Sequence, residues 1–192
     1  MEERYLVVGL GNPGKTYEDT RHNIGFRVVK ALGAKYGVVF KPALVRAKGS
    51  LGEGIVREKK TRMLMPLTYM NESGGAVKRC SRFYKIPNDH LIVVTDDVAL
   101  PFGQLRLKSQ GSAGGHNGLK SVQAHLGTQE YPRLRIGVGD NRKGELSDYV
   151  LGRFTLEEQR QLPDVVDQAI EAIELWLSEG IGTAMQEANR SK

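Results

Sequence analysis

The residues of this chain best suited to acid–base chemistry are histidines, aspartates and asparagines that stand in loops just after apolar segments. Asn12 and His22 follow the first apolar run, and the adjacent Asp96 and Asp97 end the run LIVVTDD. Similar loop positions hold Asn71, His116 and Asn117. An imidazole paired with a carboxylate can take a proton from water, and neutral amides can bind an anionic substrate without repelling it. These residue types predict a hydrolytic site.

Metal chemistry and covalent catalysis are not indicated by the sequence. The 4 histidines lack the short spacings of zinc sites, and the segment NESGG lacks the first glycine of a nucleophile elbow. Cys80 is the single cysteine and lies in a predicted helix, where we expect it to be a core residue. We therefore expect no metal ion, no cofactor and no covalent nucleophile.

The segment GLGNPGKT, residues 9–16, matches two nucleotide-binding fingerprints. The dinucleotide fingerprint requires a helix at its third glycine and an acidic residue about 20 positions later, and neither follows here. The phosphate-binding loop of nucleotidases fits better, since Lys15 and Thr16 are in place and LIVVTDD could supply a magnesium ligand. Against it, Pro13 has no N–H to offer a phosphate, and a polar stretch delays the helix that should begin after Thr16.

Strand-like and helix-like segments alternate along the chain, which predicts an α/β fold. We expect one domain, residues 1–192, with a mixed, largely parallel sheet and helices on both faces. Residues beyond the carboxyl ends of neighbouring strands meet in one crevice, so the loop residues named above are expected to converge. Strands are predicted at residues 5–8, 43–48, 54–57, 61–65, 91–95, 104–108 and 134–138, and helices at residues 24–36, 71–85 and 164–178 and from residue 117.

Local signals refine these elements. Asn23 is expected to cap the first helix, and Asn117 is a reasonable cap for its own helix. A hairpin is predicted around Gly52. Near the C-terminus, Thr155 and Glu158 form a candidate capping box, and Pro163 is expected to start a second helix that Gly180 ends.

Composition limits the class of protein. The chain has 192 residues and a net charge of +6, which favours the approach of a polyanion. One cysteine excludes an internal disulfide framework and is typical of a reducing compartment. The first residues, MEERYLVV, resemble neither a signal peptide nor a transit segment, and no window approaches the roughly 20 apolar residues of a membrane helix. We expect a cytoplasmic protein that does not bind a membrane.

Six motifs occur in order: VVGLGNPGKTYEDTRHNIGF, MPLTYMNESGGAV, VVTDDVALPFGQLRLK, GSAGGHNGLKS, RLRIGVG and YVLGRF. Together they resemble the bacterial peptidyl-tRNA hydrolase family over nearly the whole chain, a far more specific match than either nucleotide fingerprint. The resemblance implies an enzyme that hydrolyses the ester between peptide and tRNA and releases reusable tRNA. It also implies that the crevice binds the acceptor end of peptidyl-tRNA, without a cofactor, and that the protein is a monomer with no obligatory protein partner.

The resemblance assigns catalytic roles to three residues. His22 matches the family's general base, Asp96 the carboxylate that supports its imidazolium, and Asn12 the residue that distinguishes blocked from free aminoacyl esters. Because a strand pleat points neighbouring residues to opposite faces, Asp96 and Asp97 should not both serve, and the resemblance selects Asp96.

Other matches concern substrate binding. The resemblance places Tyr17, Tyr69, Asn71 and Asn117 at the substrate. An aromatic ring at Tyr17 or Tyr69 could stack on the terminal adenine. Arg106 and Lys108 alternate along one strand and so share a face, and with Arg135 they resemble the family's basic patch for tRNA phosphates.

Two alternatives remain open. A non-catalytic RNA-binding relative would share the fold and the basic patch, and a nucleotidase would use residues 9–16 with magnesium. For His116, a supporting role in the site and an ordinary loop position are both open.

Overall fold

The fold is built on one seven-stranded sheet. We describe it from a computed structural model, which covers residues 3–43 and 47–190. The strands are β1 (Arg4–Gly9), β2 (Lys41–Pro42), β3 (Gly49–Val56), β4 (Lys59–Pro66), β5 (Leu91–Asp97), β6 (Leu105–Lys108) and β7 (Arg133–Gly137). Their order across the sheet is β2-β3-β4-β1-β5-β7-β6.

The centre of the sheet is parallel and its edges are antiparallel. Parallel pairs join β1 to β4 and to β5, and β5 to β7. Antiparallel pairs join β2 to β3, β3 to β4, and β6 to β7. Both faces of β1 and β5 are covered, so their side chains are almost all buried, as the unbroken apolar runs predict.

Helices cover both faces of the sheet. They are α1 (Ile24–Lys35), α2 (Ser73–Phe83), α3 (Asn117–Leu126), α4 (Leu146–Val150) and α5 (Leu156–Ala188). One core packs α1 and α5 against Val7 and Val94, and the other packs α2 and α3 against Val8 and Val93. The predicted α/β class, with a mixed sheet between two helical layers, is confirmed. Within the described residues, no helix combines the length and apolarity that crossing a membrane requires.

The hairpin predicted around Gly52 was misplaced. Strand β3 continues through Gly52, and the chain reverses at Arg57 and Glu58, whose φ angles are 46° and 64°. A two-residue hairpin turn with positive φ at both positions favours Gly and Asn, so an Arg-Glu turn of this type gives no recognisable signal. Residues 44–46 of the predicted strand at 43–48 lie outside the described residues.

The capping box predicted at Thr155 and Glu158 is confirmed, but a single helix, α5, continues through Pro163, where the sequence predicts the start of a second helix. It begins behind a capping box in which the Thr155 hydroxyl accepts a hydrogen bond from the backbone N–H of Glu158, 3.2 Å away. Pro163 lies inside this helix because Leu162 and Val166 bury their side chains on either side of it, and this packing outweighs one missing hydrogen bond. Gly180, at φ 84°, interrupts the helix, which then resumes.

The segment at residues 9–16 does not form a phosphate-binding loop followed by a helix. Two short 3-10 turns come next, and α1 begins only at Ile24. The early glycines allow close packing instead. A Cβ at Gly9 would lie 2.3 Å from the Gly25 carbonyl oxygen, and a Cβ at Gly25 would lie 2.4 Å from that of Val94. These contacts bring the start of α1 against the ends of β1 and β5.

Candidate active site

His22 and Asp96 form a direct pair at the carboxyl end of the parallel strands. His22 lies in the 3-10 turn Arg21–Asn23, just before α1, and Asp96 lies near the end of β5. The Nδ1 atom of His22 is 2.9 Å from Asp96 Oδ1 and 3.0 Å from Oδ2. The carboxylate is buried, whereas a part of the imidazole reaches the surface. The predicted convergence of these two loops is confirmed.

A second imidazole shares the same carboxylate. His116 Nε2 lies 2.8 Å from Asp96 Oδ1 and 2.6 Å from Thr95 Oγ1. Its Nδ1 accepts hydrogen bonds from the backbone N–H groups of Gly118 and Leu119, at 3.1 and 3.3 Å. His116 is therefore the N-cap of α3, in place of Asn117, which is the first residue of that helix.

These contacts fix the proton positions. Burial alone would raise the pKa of Asp96, but the electrostatic attraction and the hydrogen bonds of His116 and His22 outweigh burial and hold that pKa well below its usual range. An ionised carboxylate only accepts hydrogen bonds, so His22 donates from Nδ1, and in the neutral ring its Nε2 is then free of a proton. In His116, Nδ1 accepts, so Nε2 carries the proton.

His22, Asp96 and His116 have the composition of a metal-binding group, since one atom from each lies within 4.8 Å of the others. The hydrogen bonds oppose that use. If Nε2 of a neutral His116 bound a metal ion, the ring proton would have to lie on Nδ1. That proton would face the two backbone N–H groups that now donate to Nδ1, and the helix cap would be lost. The arrangement fits a hydrogen-bonded relay better than a metal centre.

Asn12 is hydrogen-bonded to the 3-10 turn that carries His22. Its backbone N–H and carbonyl bond to the side-chain amide of Asn23, both at 2.9 Å. Its own Oδ1 accepts from the backbone N–H of Met70 at 2.8 Å. The sequence predicts that the Asn23 side chain caps α1. Asn23 does stand at the N-cap position, but its side chain makes no capping hydrogen bond and holds Asn12 instead. Asn12 Nδ2 has no hydrogen-bond partner in the part of the chain that the structure describes.

The loop that carries Asn71 joins the site through Met70. A Cβ at Gly118 would lie 2.6 Å from Met70 Sδ and 3.0 Å from His116 Cε1, so the two loops pack directly together. Asn71 lies in the 3-10 turn Met70–Glu72 and is exposed, as is Asn117 beside His116.

Two aromatic residues flank the opening loops. Tyr69 precedes the Met70 turn and is 60% exposed. Tyr17 is half-buried at the end of the 3-10 turn Lys15–Tyr17. Within the described residues, no ring contact or hydrogen bond joins either side chain to the His22–Asp96 pair.

A row of basic side chains leads away from the site across the sheet. Arg135 on β7 pairs with Thr95 on one side and with Arg106 on the other, so these residues share one face. Lys108 lies on the same face as Arg106 and is exposed. Arg135 also contacts Asp97, with 3.6 Å between NH1 and Oδ2. Asp97 thus faces Arg135 and not the histidines, as the strand pleat predicted.

Three positioning residues escaped the sequence reasoning: Asn23, Thr95 and Arg133. Arg133 is fully buried, and its guanidinium donates to the carbonyls of Gly111, at 2.6 Å, and Gln129, at 2.8 Å. It anchors the loop that ends at His116. The available signal was an arginine in an otherwise apolar strand. Arg135 in the same strand gives the same signal but remains partly accessible, so the sequence does not distinguish the buried arginine from the accessible one.

Comparisons with known proteins agree on one family. A family model described as peptidyl-tRNA hydrolase matches residues 6–192. The chain is similar to peptidyl-tRNA hydrolases of Chloroflexus aggregans, at 48% identity over 96% of this chain and 98% of that protein, and Roseiflexus castenholzii, at 51% over 96% and 86%. A crystal structure of peptidyl-tRNA hydrolase from Acinetobacter baumannii superposes with a TM-score of 0.92 at 37% identity, covering 100% of this chain and 97% of that one.

Proposed function

Because the chain belongs to the peptidyl-tRNA hydrolase family, we propose that it hydrolyses the ester joining a peptide to the terminal ribose of tRNA. The products are a free peptide and a reusable tRNA. The observation that carries the proposal is the contact between His22 Nδ1 and the buried carboxylate of Asp96, at 2.9 Å.

His22 acts as the general base in this proposal. With its Nδ1 hydrogen donated to Asp96, the ring presents Nε2 to a water molecule and takes its proton as the water attacks the ester carbonyl. Asp96 stabilises the imidazolium that forms. When the carbon–oxygen bond breaks, the imidazolium returns the proton to the ribose oxygen, which balances the reaction.

His116 acts on this pair through Asp96. Its Nε2 donates to Oδ1 of Asp96, while its Nδ1, on the other side of the ring, caps α3. This bond holds the carboxylate in its orientation toward His22. We assign His116 a positioning role, with Thr95 Oγ1 as its second partner.

The amides bind the substrate. Asn12 Nδ2 is free to donate, within the described residues, while Oδ1 of the same side chain is held by Met70. Asn71 and Asn117 are exposed on the two loops that pack together beside the relay. Asn71 is our candidate donor to the developing oxyanion, an interaction typically worth about 3–4 kcal/mol.

The tRNA is bound by charge and by stacking. Arg106, Lys108 and Arg135 share the face that leads from Thr95, and we assign them to phosphates of the acceptor end. Tyr17 and Tyr69 are our candidates for contact with the terminal adenine or the peptide.

No protein side chain forms a covalent intermediate in this scheme. Burial raises the pKa of the Cys80 thiol to about 12, so the thiolate is not populated near neutral pH. All the assigned groups come from one chain, and we propose that the enzyme acts as a monomer in the cytoplasm, without a metal, a cofactor or an obligatory protein partner.

The decisive experiment is cleavage of N-acetylated aminoacyl-tRNA by the purified protein in the presence of EDTA. We expect ester hydrolysis with release of intact tRNA. Binding without cleavage would support the RNA-binding alternative. Tight ATP binding that requires magnesium would support the nucleotidase alternative, which the late start of α1 disfavours. Either result would overturn the proposal.

A further inference from the structure

A second cavity lies at the opposite edge of the sheet from the His22–Asp96 pair. It has a volume of about 740 Å³ and lies at the start of β1 and just before β5, beside the C-terminal ends of α2 and α3. None of the assigned site residues lines it. We call it the amino-end cavity; its lining includes Arg4, Lys78, Arg82, Phe83, Lys85 and Ile86.

The amino-end cavity is strongly basic. None of Arg4, Lys78, Arg82 and Lys85 forms an ion pair with any residue that the structure describes. The one acidic residue of the lining, Glu3, is engaged by Lys59, with 2.6 Å between its Oε2 and the lysine Nζ. Four cations without acidic partners around one cavity form a site for a ligand with several negative charges.

An exposed aromatic ring lies among these cations. Phe83, the last residue of α2, is 64% exposed, and the ring of Tyr84 lies 4.9 Å away at an angle of 83°. Unpaired nucleic acid is bound by this combination, in which cations contact phosphates and an aromatic ring stacks on a base. An acidic peptide would satisfy the cations but would leave the ring without a planar partner.

Lys85 occupies a backbone position that favours glycine. Helix α2 ends in a pair of hydrogen bonds, Ile86 N–H to the Ser81 carbonyl at 2.8 Å and Lys85 N–H to that of Arg82 at 3.2 Å. This termination places Lys85 in the left-handed region, at φ 54°. A lysine here costs stability relative to glycine, and the fold itself requires no charge at this position. A ligand that uses the ammonium group would account for a lysine at this position.

We propose that the amino-end cavity binds an unpaired segment of RNA, with phosphates on its cations and a base stacked on Phe83. The site is distinct from the proposed catalytic crevice, and the inference does not depend on the proposed hydrolysis.

The test uses the full-length protein with Arg106 and Lys108 both changed to Gln, so that binding at the basic row is reduced. The probe is a fluorescein-labelled single-stranded RNA hexamer, followed by anisotropy and by backbone amide NMR signals. We expect the amides of residues 82–90 to shift. Phe83→Ala, and separately Arg82→Gln with Lys85→Gln, should each weaken binding about tenfold.

Matched controls remove the same kinds of group elsewhere. Leu156→Ala removes an exposed apolar side chain, and Lys41→Gln with Arg160→Gln removes two exposed charges that form no ion pair within the described residues. These controls should leave the affinity within twofold. The proposal is overturned if residues 82–90 do not shift, if the controls weaken binding equally, or if a hexaglutamate peptide binds as tightly as the RNA.

Lys85→Gly separates a loss of RNA binding from a loss of folding. It should raise the melting temperature, because glycine fits the left-handed position, while weakening RNA binding. Unchanged affinity in this more stable variant would remove Lys85 from the site and overturn the assignment. His22→Ala should leave binding at the amino-end cavity intact, which separates this inference from the proposed hydrolysis.

Discussion

His116 donates its Nε2 hydrogen to Asp96 across 2.8 Å, while the other nitrogen of the same ring caps α3. One side chain thus ties a buried carboxylate to the start of a helix. The contact with Asp96 needs a donor at Nε2 and the helix cap needs an acceptor at Nδ1, and one neutral tautomer of the ring provides both. They can therefore be separated by substitution.

His116→Asn should keep the cap but lose the contact with Asp96. Asn is among the best N-cap residues, so the free energy of unfolding should change by less than about 0.5 kcal/mol. Turnover should fall because Asp96 is no longer held, and the pKa of Asp96 should rise from its depressed value. Steady-state kinetics, chemical denaturation and the carbonyl NMR titration of Asp96 measure the three effects.

His116→Ala is the matched comparison, since it removes both contacts. We expect a loss of about 1 kcal/mol of stability in addition to the loss of turnover. Equal stability losses in the Asn and Ala variants would show that the cap is unimportant, and full activity in both would remove His116 from the site.

Asn12→Asp tests the free amide nitrogen. The aspartate can still accept from the backbone N–H of Met70, so the local structure should be preserved, whereas the Nδ2 donor is lost. We expect turnover on N-acetylated aminoacyl-tRNA to fall at least tenfold with little change in melting temperature. Asn23→Ala should instead lower both the turnover and the melting temperature, because it removes two buried hydrogen bonds, at a cost of about 1–3 kcal/mol. If Asn12→Asp is fully active, the assignment of this donor is wrong.

The sequence predicted those site residues that are polar and stand at or just after the carboxyl end of a buried strand. Asn12 and His22 follow the buried strand β1, Asp96 lies near the end of the neighbouring strand β5, and parallel strands bring such residues to one edge. Asn23 and Arg133 could not be predicted to support them, because their roles depend on partners distant in sequence. A capping asparagine and a buried one that bonds to another loop look identical in sequence.

The fold was predictable where burial on both faces left unbroken apolar runs, as in β1 and β5. It was not predictable where packing outweighs local preference. Pro163 remains inside α5 because the apolar face continues on both sides of it, and the Arg57–Glu58 turn uses residues that seldom adopt positive φ.

The basic row should govern the salt dependence of tRNA binding. Changing Arg106 and Lys108 to Gln removes two cations that form no ion pair within the described residues, so fewer counterions are released on binding. The slope of log K against log salt should become less steep by about 1.4–1.8. Filter binding at several salt concentrations measures it, with Lys41→Gln and Arg160→Gln, two exposed cations without an ion pair within the described residues, as the charge-matched control. An unchanged slope would exclude the row from the tRNA interface.

Cys80 should make stability fall at alkaline pH. Its pKa is raised by burial from 9.0 to about 12, so above pH 9 the unfolded thiol ionises while the folded thiol stays neutral. The stabilisation is complete below pH 9 and is lost progressively as the pH rises toward the folded value, by up to about 1.4 kcal/mol per pH unit. Denaturation of the wild type and of Cys80→Ala between pH 8 and 10.5 should show the steeper loss in the wild type, and parallel curves would contradict it.

The adjacent aspartates offer the sharpest test of the proposed base. Asp96 accepts from His22, whereas Asp97 binds the backbone N–H of Ala99 at 2.8 Å and faces Arg135. Asp96→Asn should lower turnover by about 10²–10⁴-fold, as should His22→Ala, because the first removes the charge that stabilises the imidazolium and the second removes the general base. Asp97→Asn keeps an acceptor for Ala99 and should stay within a few-fold of wild type. Binding of tRNA should survive in all three, since none carries the positive charges that hold phosphates. If Asp97→Asn instead matched His22→Ala while Asp96→Asn were active, the catalytic carboxylate would be the neighbour, and the relay described above would have no part in the reaction.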